Sequence, residues 1–209
     1  MPTSNEAPFW NERYRASETP WDFGGLPADL KEFLKRKKRL GDTVLIPGCG
    51  AGYEVKAFAL AGYEVTAIDF SPDAVKLATQ HAGSELADRV ILGDFFKHDF
   101  APGAFDVVYE RTFLCSMTPD RREAYRDRVC ELLKPNGHLV GYFYYQAPVP
   151  ELGPPYGFAW GAFDELFARH FLLLKDVAVT DSLPVFEGRE RWQEQRRTAF
   201  SSGGTRAPA

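Results

Sequence analysis

The sequence lacks the features that mark membrane, disulfide-rich and zinc-binding proteins. No apolar run approaches the roughly 18 residues that span a bilayer, and no signal peptide is recognisable at its start. Its three cysteines show no C-x-x-C spacing and its four histidines are scattered, so neither a disulfide framework nor a metal site is predicted. A net charge of −4 does not favour a nucleic-acid-binding protein. We therefore expect a cytoplasmic protein that binds neither nucleic acid nor membrane.

The length and the apolar content of the chain predict a single domain. The chain has 209 residues, of which 44% are hydrophobic, and this is enough to bury a substantial core. We expect residues 1–200 to form this domain and residues 201–209 to form a flexible tail. The sequence shows neither an internal repeat nor a second domain, and we expect a monomer.

One segment carries most of the functional information: a strand, a glycine-rich turn, a helix and a second strand. Residues 43–47 form the first strand, glycines follow at positions 48, 50 and 52, and the strand 64–68 ends at Asp69. Glycines let the backbone approach a ligand closely, and the helix after them presents unpaired N–H groups. A carboxylate about 20 residues further on is placed to bind the hydroxyls of a ribose. The unit therefore predicts a nucleoside ligand.

The spacing of the glycines separates this turn from two related nucleotide-binding turns. The third glycine falls one position early for the G-x-G-x-x-G dinucleotide pattern, and no P-loop lysine follows. Glu54, in the first turn of the helix, makes a pyrophosphate a poorly matched neighbour. A zwitterionic methionine group with a sulfonium charge suits this position better.

Strands and helices alternate along the rest of the chain. Helices are predicted near residues 72–81, 119–133 and 161–170, and further strands at 90–92, 105–109, 138–145, 171–180 and 190–199. This order predicts an α/β fold with a seven-stranded, mostly parallel sheet and helices on both faces. Ligands of such sheets lie at the carboxyl ends of the strands. The residues expected at these ends are Gly48, Asp69, Asp94, Phe95, Glu110 and Arg111.

Three further motifs resemble those of a known family. Tryptophan or tyrosine stands at positions 10, 14 and 21, residues 110–115 follow the fourth strand, and residues 153–156 follow the fifth. Together with residues 45–50 they resemble class I S-adenosylmethionine-dependent methyltransferases, and more narrowly the thiopurine, thiol and halide methyltransferase group. The resemblance covers nearly the whole chain. It implies a Rossmann-like fold and S-adenosylmethionine as the cofactor.

The resemblance also implies which residues bind the cofactor. Residues 1–24 would form an aromatic lid over it, the first glycine of the turn would contact its methionine part, and Asp69 its ribose. The residues implied are Trp10, Tyr14, Trp21, Gly48, Asp69, Asp94, Phe95 and Arg111. Asp94 and Phe95 would contact the adenine, since a carboxylate accepts hydrogen bonds and a phenyl ring packs on a flat base. The alternative for the aromatic segment is a helix that only packs on the core.

Arg111 and Tyr156 are the residues implied on the side of the methyl acceptor, and we name both as catalytic. Arg111 would attract and orient an anionic acceptor, although plant halide methyltransferases have a tyrosine at its position. The alternative role for Arg111 is a surface ion pair with a neighbouring carboxylate such as Glu110. Tyr156 would line the acceptor pocket.

The predicted reaction is methyl transfer to a small soft nucleophile, which is a thiol, a thiopurine, hydrosulfide or a halide. The reaction is an in-line displacement with a neutral thioether as the leaving group, so alignment and desolvation lower its barrier. These acceptors are anionic or nearly so and need no strong general base, and no acid–base pair is evident in the sequence.

Two other classes of protein share the first strand–turn–helix–strand unit. One is a nicotinamide-dependent oxidoreductase, against which the early third glycine and the aromatic N-terminus argue. The other is a non-catalytic nucleoside-binding or regulatory module, against which the presence of Arg111 and Tyr156 argues.

Overall fold

Seven strands and six α-helices make up the described part of the chain. The computed structural model describes residues 2–36, 41–146, 148 and 153–198, so the tail expected at 201–209 lies outside it. The strands are β1 (Thr43–Pro47), β2 (Glu64–Asp69), β3 (Val90–Leu92), β4 (Phe105–Arg111), β5 (Leu133–Tyr144), β6 (Phe171–Ala178) and β7 (Glu190–Arg197). The helices are α1 (Ala7–Ala16), α2 (Ala28–Leu34), α3 (Tyr53–Leu60), α4 (Pro72–Ala82), α5 (Arg122–Leu132) and α6 (Ala162–Phe167). No helix among the described residues has the length and apolar character needed to cross a bilayer.

The strands form one sheet in the order β3-β2-β1-β4-β5-β7-β6. Parallel pairing joins β3, β2, β1, β4 and β5, and β7 runs antiparallel between β5 and β6. Parallel neighbours need a crossover between them, and the helices that alternate with the strands supply it. The predicted seven-stranded, mostly parallel sheet is therefore confirmed. The carboxyl ends of β1, β2 and β4 lie along one edge of this sheet.

The side chains of β4 alternate between two buried layers, one on each face of the sheet. Val108 packs in a layer with Tyr125 of α5 and Phe163 of α6. Val107 belongs to the opposite layer, which contains Phe58 of α3 and Ala78 of α4. Helices therefore cover both faces, as predicted. Because successive side chains of a strand point to opposite faces, the last two residues of β4 enter different layers.

The largest difference from the predicted elements lies before β5. The predicted helix 119–133 is a short 3₁₀ turn, Pro119–Arg121, followed by α5, and the strand predicted from residue 138 begins at Leu133. Helix α6 and strands β6 and β7 also end earlier than predicted.

The early start of β5 is explained by a bulge. Phe105 pairs with Leu133 and Val107 pairs with His138, so the four residues 134–137 interrupt the regular pairing. Asn136 within this bulge has a φ of 64°, a left-handed conformation that asparagine tolerates. The Pro-Asn-Gly sequence thus forms its turn inside the strand rather than before it.

Gly52 is the point at which the glycine-rich turn packs directly on α4. Its φ is +70°, and a Cβ there would lie 2.6 Å from the Cβ of Ala78. We predict that Gly52→Ala lowers the free energy of unfolding by about 1–3 kcal/mol more than backbone strain alone, because the added methyl overpacks the contact between α3 and α4.

Gly103→Ala is the matched control for this prediction. Gly103 has a similar φ of +64°, but a Cβ there would meet nothing within 4 Å. Gly103→Ala should therefore lower the free energy of unfolding only by the cost of placing alanine in the left-handed region, roughly 1 kcal/mol. Urea denaturation of the two variants measures the difference, and equal losses would contradict the overpacking account.

Candidate active site

A cavity of about 300 Å³ opens at the carboxyl ends of β1, β2 and β4. The glycine-rich turn and the N-terminal segment, defined here as residues 2–24, supply much of its lining. A second cavity of about 40 Å³ adjoins it on the side of β3. The residues that line both cavities are Gly48, Asp69, Phe70, Phe113 and Ser116. The two cavities therefore form one site with a shared middle.

Two glycines of the turn have no room for a side chain, because Phe113 and Tyr14 pack against them. Gly48 has a φ of +57°, and a Cβ there would lie 2.2 Å from Cδ2 of Phe113. Gly50 has a φ of +53°, and its Cβ would lie 3.0 Å from the hydroxyl of Tyr14. Any larger residue at these two positions would fill the cradle between the turn, Phe113 and the N-terminal segment. Phe113 was not predicted, because nothing local in the sequence reveals that its ring covers Gly48.

Asp69 ends β2 with its carboxylate buried in the middle of the site. One oxygen accepts a hydrogen bond from the amide of Gly50 at 3.0 Å, and the other accepts one from the amide of Ser71 at 2.9 Å. Burial raises the pKa of this carboxyl to about 6. A carboxylate has about four lone-pair positions, and these backbone amides do not use all of them, so lone pairs remain for a ligand hydroxyl. Asp69, which we expected to bind ribose, thus holds the glycine-rich turn in place through Gly50.

Asp94 and Phe95 line the smaller cavity, beside the shared residues. One oxygen of Asp94 accepts a hydrogen bond from the amide of Phe96 at 2.8 Å, which closes its own loop, and the other lies 3.2 Å from the ammonium of Lys97. The ring of Phe95 is buried in the core and contacts Phe113 edge-on at 5.5 Å between centroids. The structure therefore brings both residues to the site, with part of the Asp94 carboxylate already engaged.

The three aromatic residues expected in the lid all line the larger cavity. Trp21 contacts Trp10 edge-on at 5.1 Å and Tyr14 edge-on at 6.0 Å between ring centroids. The segment is tied to α4, since Ser71 donates a hydrogen bond to Asn11 at 2.6 Å and Arg15 forms an ion pair with Asp73 at 2.9 Å. It therefore packs on the domain and lines the site at the same time.

Arg111 lies on the floor of the larger cavity and is only 9% exposed. Its guanidinium carbon lies 5.0 Å from the centroid of the Phe23 ring and 4.5 Å from the centroid of the Tyr142 ring. Both terminal nitrogens are buried and have no hydrogen-bond partner among the described residues. Their donor groups are therefore available to a ligand.

Glu110 is not the carboxylate that would pair with Arg111 in the alternative role of that residue. Glu110 points to the opposite face of the sheet, where its oxygens accept hydrogen bonds from the amide of Leu114 and the hydroxyl of Tyr125, both at 2.8 Å. Adjacent residues of a strand cannot place both side chains on one face, so the two charges are separated by the sheet.

Tyr156 lines neither cavity, which corrects the expectation that it forms the acceptor wall. Its ring packs against Gly153, where a Cβ would come within 2.7 Å of it, and its amide donates a hydrogen bond to the carbonyl of Cys115 at 2.7 Å. Pro154 and Pro155 of the same motif line the cavity instead. In residues 153–156 the two prolines line the cavity, whereas the ring of Tyr156 packs against Gly153 instead.

Two polar residues of the larger cavity were not predicted as site residues. Tyr109 stands two positions before Arg111 on β4, and its buried hydroxyl has no hydrogen-bond partner among the described residues. The two-residue period of a strand was the signal that could have found it. Glu54 of α3 lines the cavity and is only 8% exposed. Its side chain lies beside the charge of Arg111 rather than in solvent.

Solved structures share this architecture. The fold matches that of a solved structure of Burkholderia thailandensis 1,6-didemethyltoxoflavin-N1-methyltransferase, which holds 1,6-didemethyltoxoflavin and S-adenosylhomocysteine. The TM-score is 0.72 at 21% identity, over 92% of this chain and 87% of that one. The fold is therefore that of the S-adenosylmethionine-dependent methyltransferases.

Sequence comparison narrows the class to a family. The chain is 31% identical over 160 residues to probable thiol methyltransferase 2 of Arabidopsis thaliana, covering 74% of this chain and 69% of the relative. It is 28% identical over 197 residues to thiocyanate methyltransferase 1 of the same plant, covering 88% and 84%. The thiopurine S-methyltransferase (TPMT) family model matches residues 5–198, so the chain belongs to this family. The chain is an enzyme that uses S-adenosylmethionine, and neither alternative class is favoured.

The residues present fit this cofactor. The cradle over Gly48 and Gly50 is open only because Cβ atoms are absent, and Asp69 keeps lone pairs for a ribose. Aromatic faces of the N-terminal segment suit a cationic sulfonium. When bound, S-adenosylmethionine supplies an electrophilic methyl group and a neutral thioether leaving group. We propose that these residues, with Asp94 and Phe95, hold it.

The proposed role of Asp69 predicts both a loss and a change in pH dependence. Asp69→Asn should weaken S-adenosylhomocysteine binding by about 1.5–3 kcal/mol, the range for hydrogen bonds to a charged group. In the wild type the affinity should fall as the pH drops through about 6, because protonation removes the charge that accepts the hydroxyls. Calorimetry over a pH series tests both, with exposed Asp88→Asn as the control. Unchanged affinity in a folded Asp69 variant would exclude the ribose assignment.

The N-terminal segment should become better protected when the cofactor site is filled. Its rings line the cavity, so a bound ligand adds contacts that hold the segment closed and exclude water. Hydrogen exchange of residues 10–21 should slow on addition of S-adenosylhomocysteine, whereas exchange in the central strand β1 should not change. Equal protection with and without ligand would favour a helix that only packs on the core.

Proposed function

We propose that this enzyme transfers the methyl group of S-adenosylmethionine to a small soft nucleophile, with thiols as its preferred acceptors and thiopurines, hydrosulfide and halides in the same class. The observation that carries the proposal is the buried guanidinium of Arg111 at the larger cavity, whose terminal nitrogens find no hydrogen-bond partner in the part of the chain that the structure describes. A positive group with unused donors attracts an acceptor that carries or develops negative charge.

The surroundings of Arg111 favour a polarisable anion over a strongly hydrated one. Besides Glu54, whose carboxyl lies near the charge of Arg111, the cavity is lined by several apolar or weakly polar side chains, namely Trp21, Phe23, Cys115, Pro154, Pro155, Val185 and Phe186. Desolvating a thiolate costs less than desolvating an alkoxide. A thiol with a pKa near 8.5 also supplies a few per cent of nucleophile at neutral pH without a general base.

The named relatives support the same acceptor class. They are a probable thiol methyltransferase and a thiocyanate methyltransferase, and the family itself takes its name from sulfur methylation of thiopurines. Arg111 would stabilise the acceptor anion, and the N-terminal segment would exclude water while sulfur and methyl align. The monomeric state, the cytoplasmic location and the absence of nucleic-acid and membrane partners stay predictions.

Removing the charge of Arg111 should affect the acceptor more than the cofactor. We expect Arg111→Met to lower kcat/KM for a small aryl thiol by about 10- to 100-fold, because a charge-assisted contact to the anion is lost. Affinity for S-adenosylhomocysteine, measured by calorimetry, should stay within about twofold. The wild-type rate should rise with pH until the thiol is fully ionised.

Arg196→Met is the matched control, because Arg196 is exposed and lies on β7 opposite His138, away from the carboxyl ends of the parallel strands. The same assay should compare the aryl thiol with the phenol and the aniline of the same ring. A phenol or an amine that outcompetes every thiol and halide would show the acceptor class to be wrong, while the methyltransferase assignment would stand.

A further inference from the structure

Glu54 is a carboxylate whose place in the cavity has no role in the proposals above. It is the second residue of α3, directly after the glycine-rich turn, and its remaining exposure is toward the larger cavity. The hydrogen bond found to its carboxylate among the described residues comes from its own amide. Burial raises the pKa of this carboxyl, and Asp22 acts in the same direction, whereas Arg111 lowers it. The carboxylate therefore lacks a hydrogen-bonding cation of its own.

The charges around the cavity call for a cationic ligand. Its lining contains four carboxylates, Glu18, Asp22, Glu54 and Asp69, against two guanidinium groups, Arg13 and Arg111. With all groups ionised, the lining carries two more negative than positive charges. Tyr53, Cys49 and Tyr109 also face these groups, and burial favours their neutral forms. Because buried charge is costly without compensation, a bound cation would stabilise the ionised carboxylates.

The arrangement of the two cavities shows which end of the cofactor would reach Glu54. Asp94 and Phe95 line only the smaller cavity, Asp69 lines both, and Glu54 lines only the larger one. If the ribose lies at Asp69 and the adenine on the side of Asp94, the amino-acid end extends into the larger cavity. That end carries an ammonium, which has three N–H donors, whereas the sulfonium has none.

We propose that Glu54 binds the ammonium group of the methionine part of S-adenosylmethionine. This contact is independent of which acceptor is methylated, because it also forms with S-adenosylhomocysteine. Failure of the thiol proposal would therefore leave it standing, and its own failure would leave the acceptor class untouched. Asp69 and Glu54 would hold the two ends of the cofactor from either side of the glycine-rich turn.

A thermodynamic cycle tests the contact by combining the substitution Glu54→Gln with removal of the ammonium group from the ligand. Calorimetry would compare S-adenosylhomocysteine with its desamino analogue, which lacks only the ammonium, on the wild type and on Glu54→Gln. The wild type should bind S-adenosylhomocysteine about 10- to 100-fold more tightly than the analogue. Glu54→Gln should lose a similar factor for S-adenosylhomocysteine and nothing for the analogue, so that the two ligands bind almost equally.

Glu123→Gln is the matched control, because Glu123 is the second residue of α5 and is exposed. It should discriminate between the two ligands as the wild type does. Equal losses for both ligands in Glu54→Gln would mean that the residue supports the turn, and no loss for either would place the ammonium elsewhere. Both results would overturn the proposal. Equal binding of the two ligands by the wild type would overturn it without any variant, even if Glu54→Gln does not fold.

Discussion

The carboxylate of Asp69 is the interaction on which the geometry of the site depends. It lies at the end of β2 and accepts hydrogen bonds from Gly50 of the glycine-rich turn and from Ser71 at the start of α4. Ser71 in turn caps α4 by accepting a hydrogen bond from Ala74, and it donates one to Asn11 of α1. One buried acid thus connects the central sheet, the glycine-rich turn, a helix and the N-terminal segment.

This network also explains why the site tolerates a buried acid. Burial alone raises the pKa of Asp69, but hydrogen bonds from the backbone amides of Ser71, Gly50 and Phe70 favour the ionised form. These N–H groups lie in a turn and at a helix N-terminus, where backbone N–H groups have no partner within the secondary structure. The same carboxylate can therefore organise the protein and still offer lone pairs to a ribose.

The sequence predicted the sheet and its edge well because those features depend on local pattern. Strand β1, the glycines and Asp69 are contiguous signals, and the parallel order follows from the alternation of elements. What it could not predict depends on packing between distant segments. One example is the ring of Phe113, which covers Gly48. Another is the ring of Tyr156, which packs against Gly153 rather than lining the cavity. Motif matching pointed to a segment whose prolines line the larger cavity, but Tyr156, the side chain that it named, lines neither cavity.

The environment of Arg111 shows how one strand can supply both structure and chemistry. The neighbouring Glu110 faces α5, where two hydrogen bonds satisfy it, and it therefore serves the fold. Arg111 lines the cavity with the rings of Phe23 and Tyr142 near its guanidinium, and its terminal nitrogens have no hydrogen-bond partner among the described residues. One of these rings, Phe23, belongs to the N-terminal segment that also lines the proposed cofactor site.

Because Phe23 is carried by that segment, the proposed sites for cofactor and acceptor would not bind independently. A segment held in place by a ligand at Trp10, Tyr14 and Trp21 also sets the position of the ring over Arg111. The cation–π contact shields the guanidinium from water and so strengthens its attraction for an anion in the same cavity. The selectivity for a soft anion would then depend on the closed segment as much as on Arg111 itself. A hydrated anion gains little from such a site, since it must lose its water before it meets the charge.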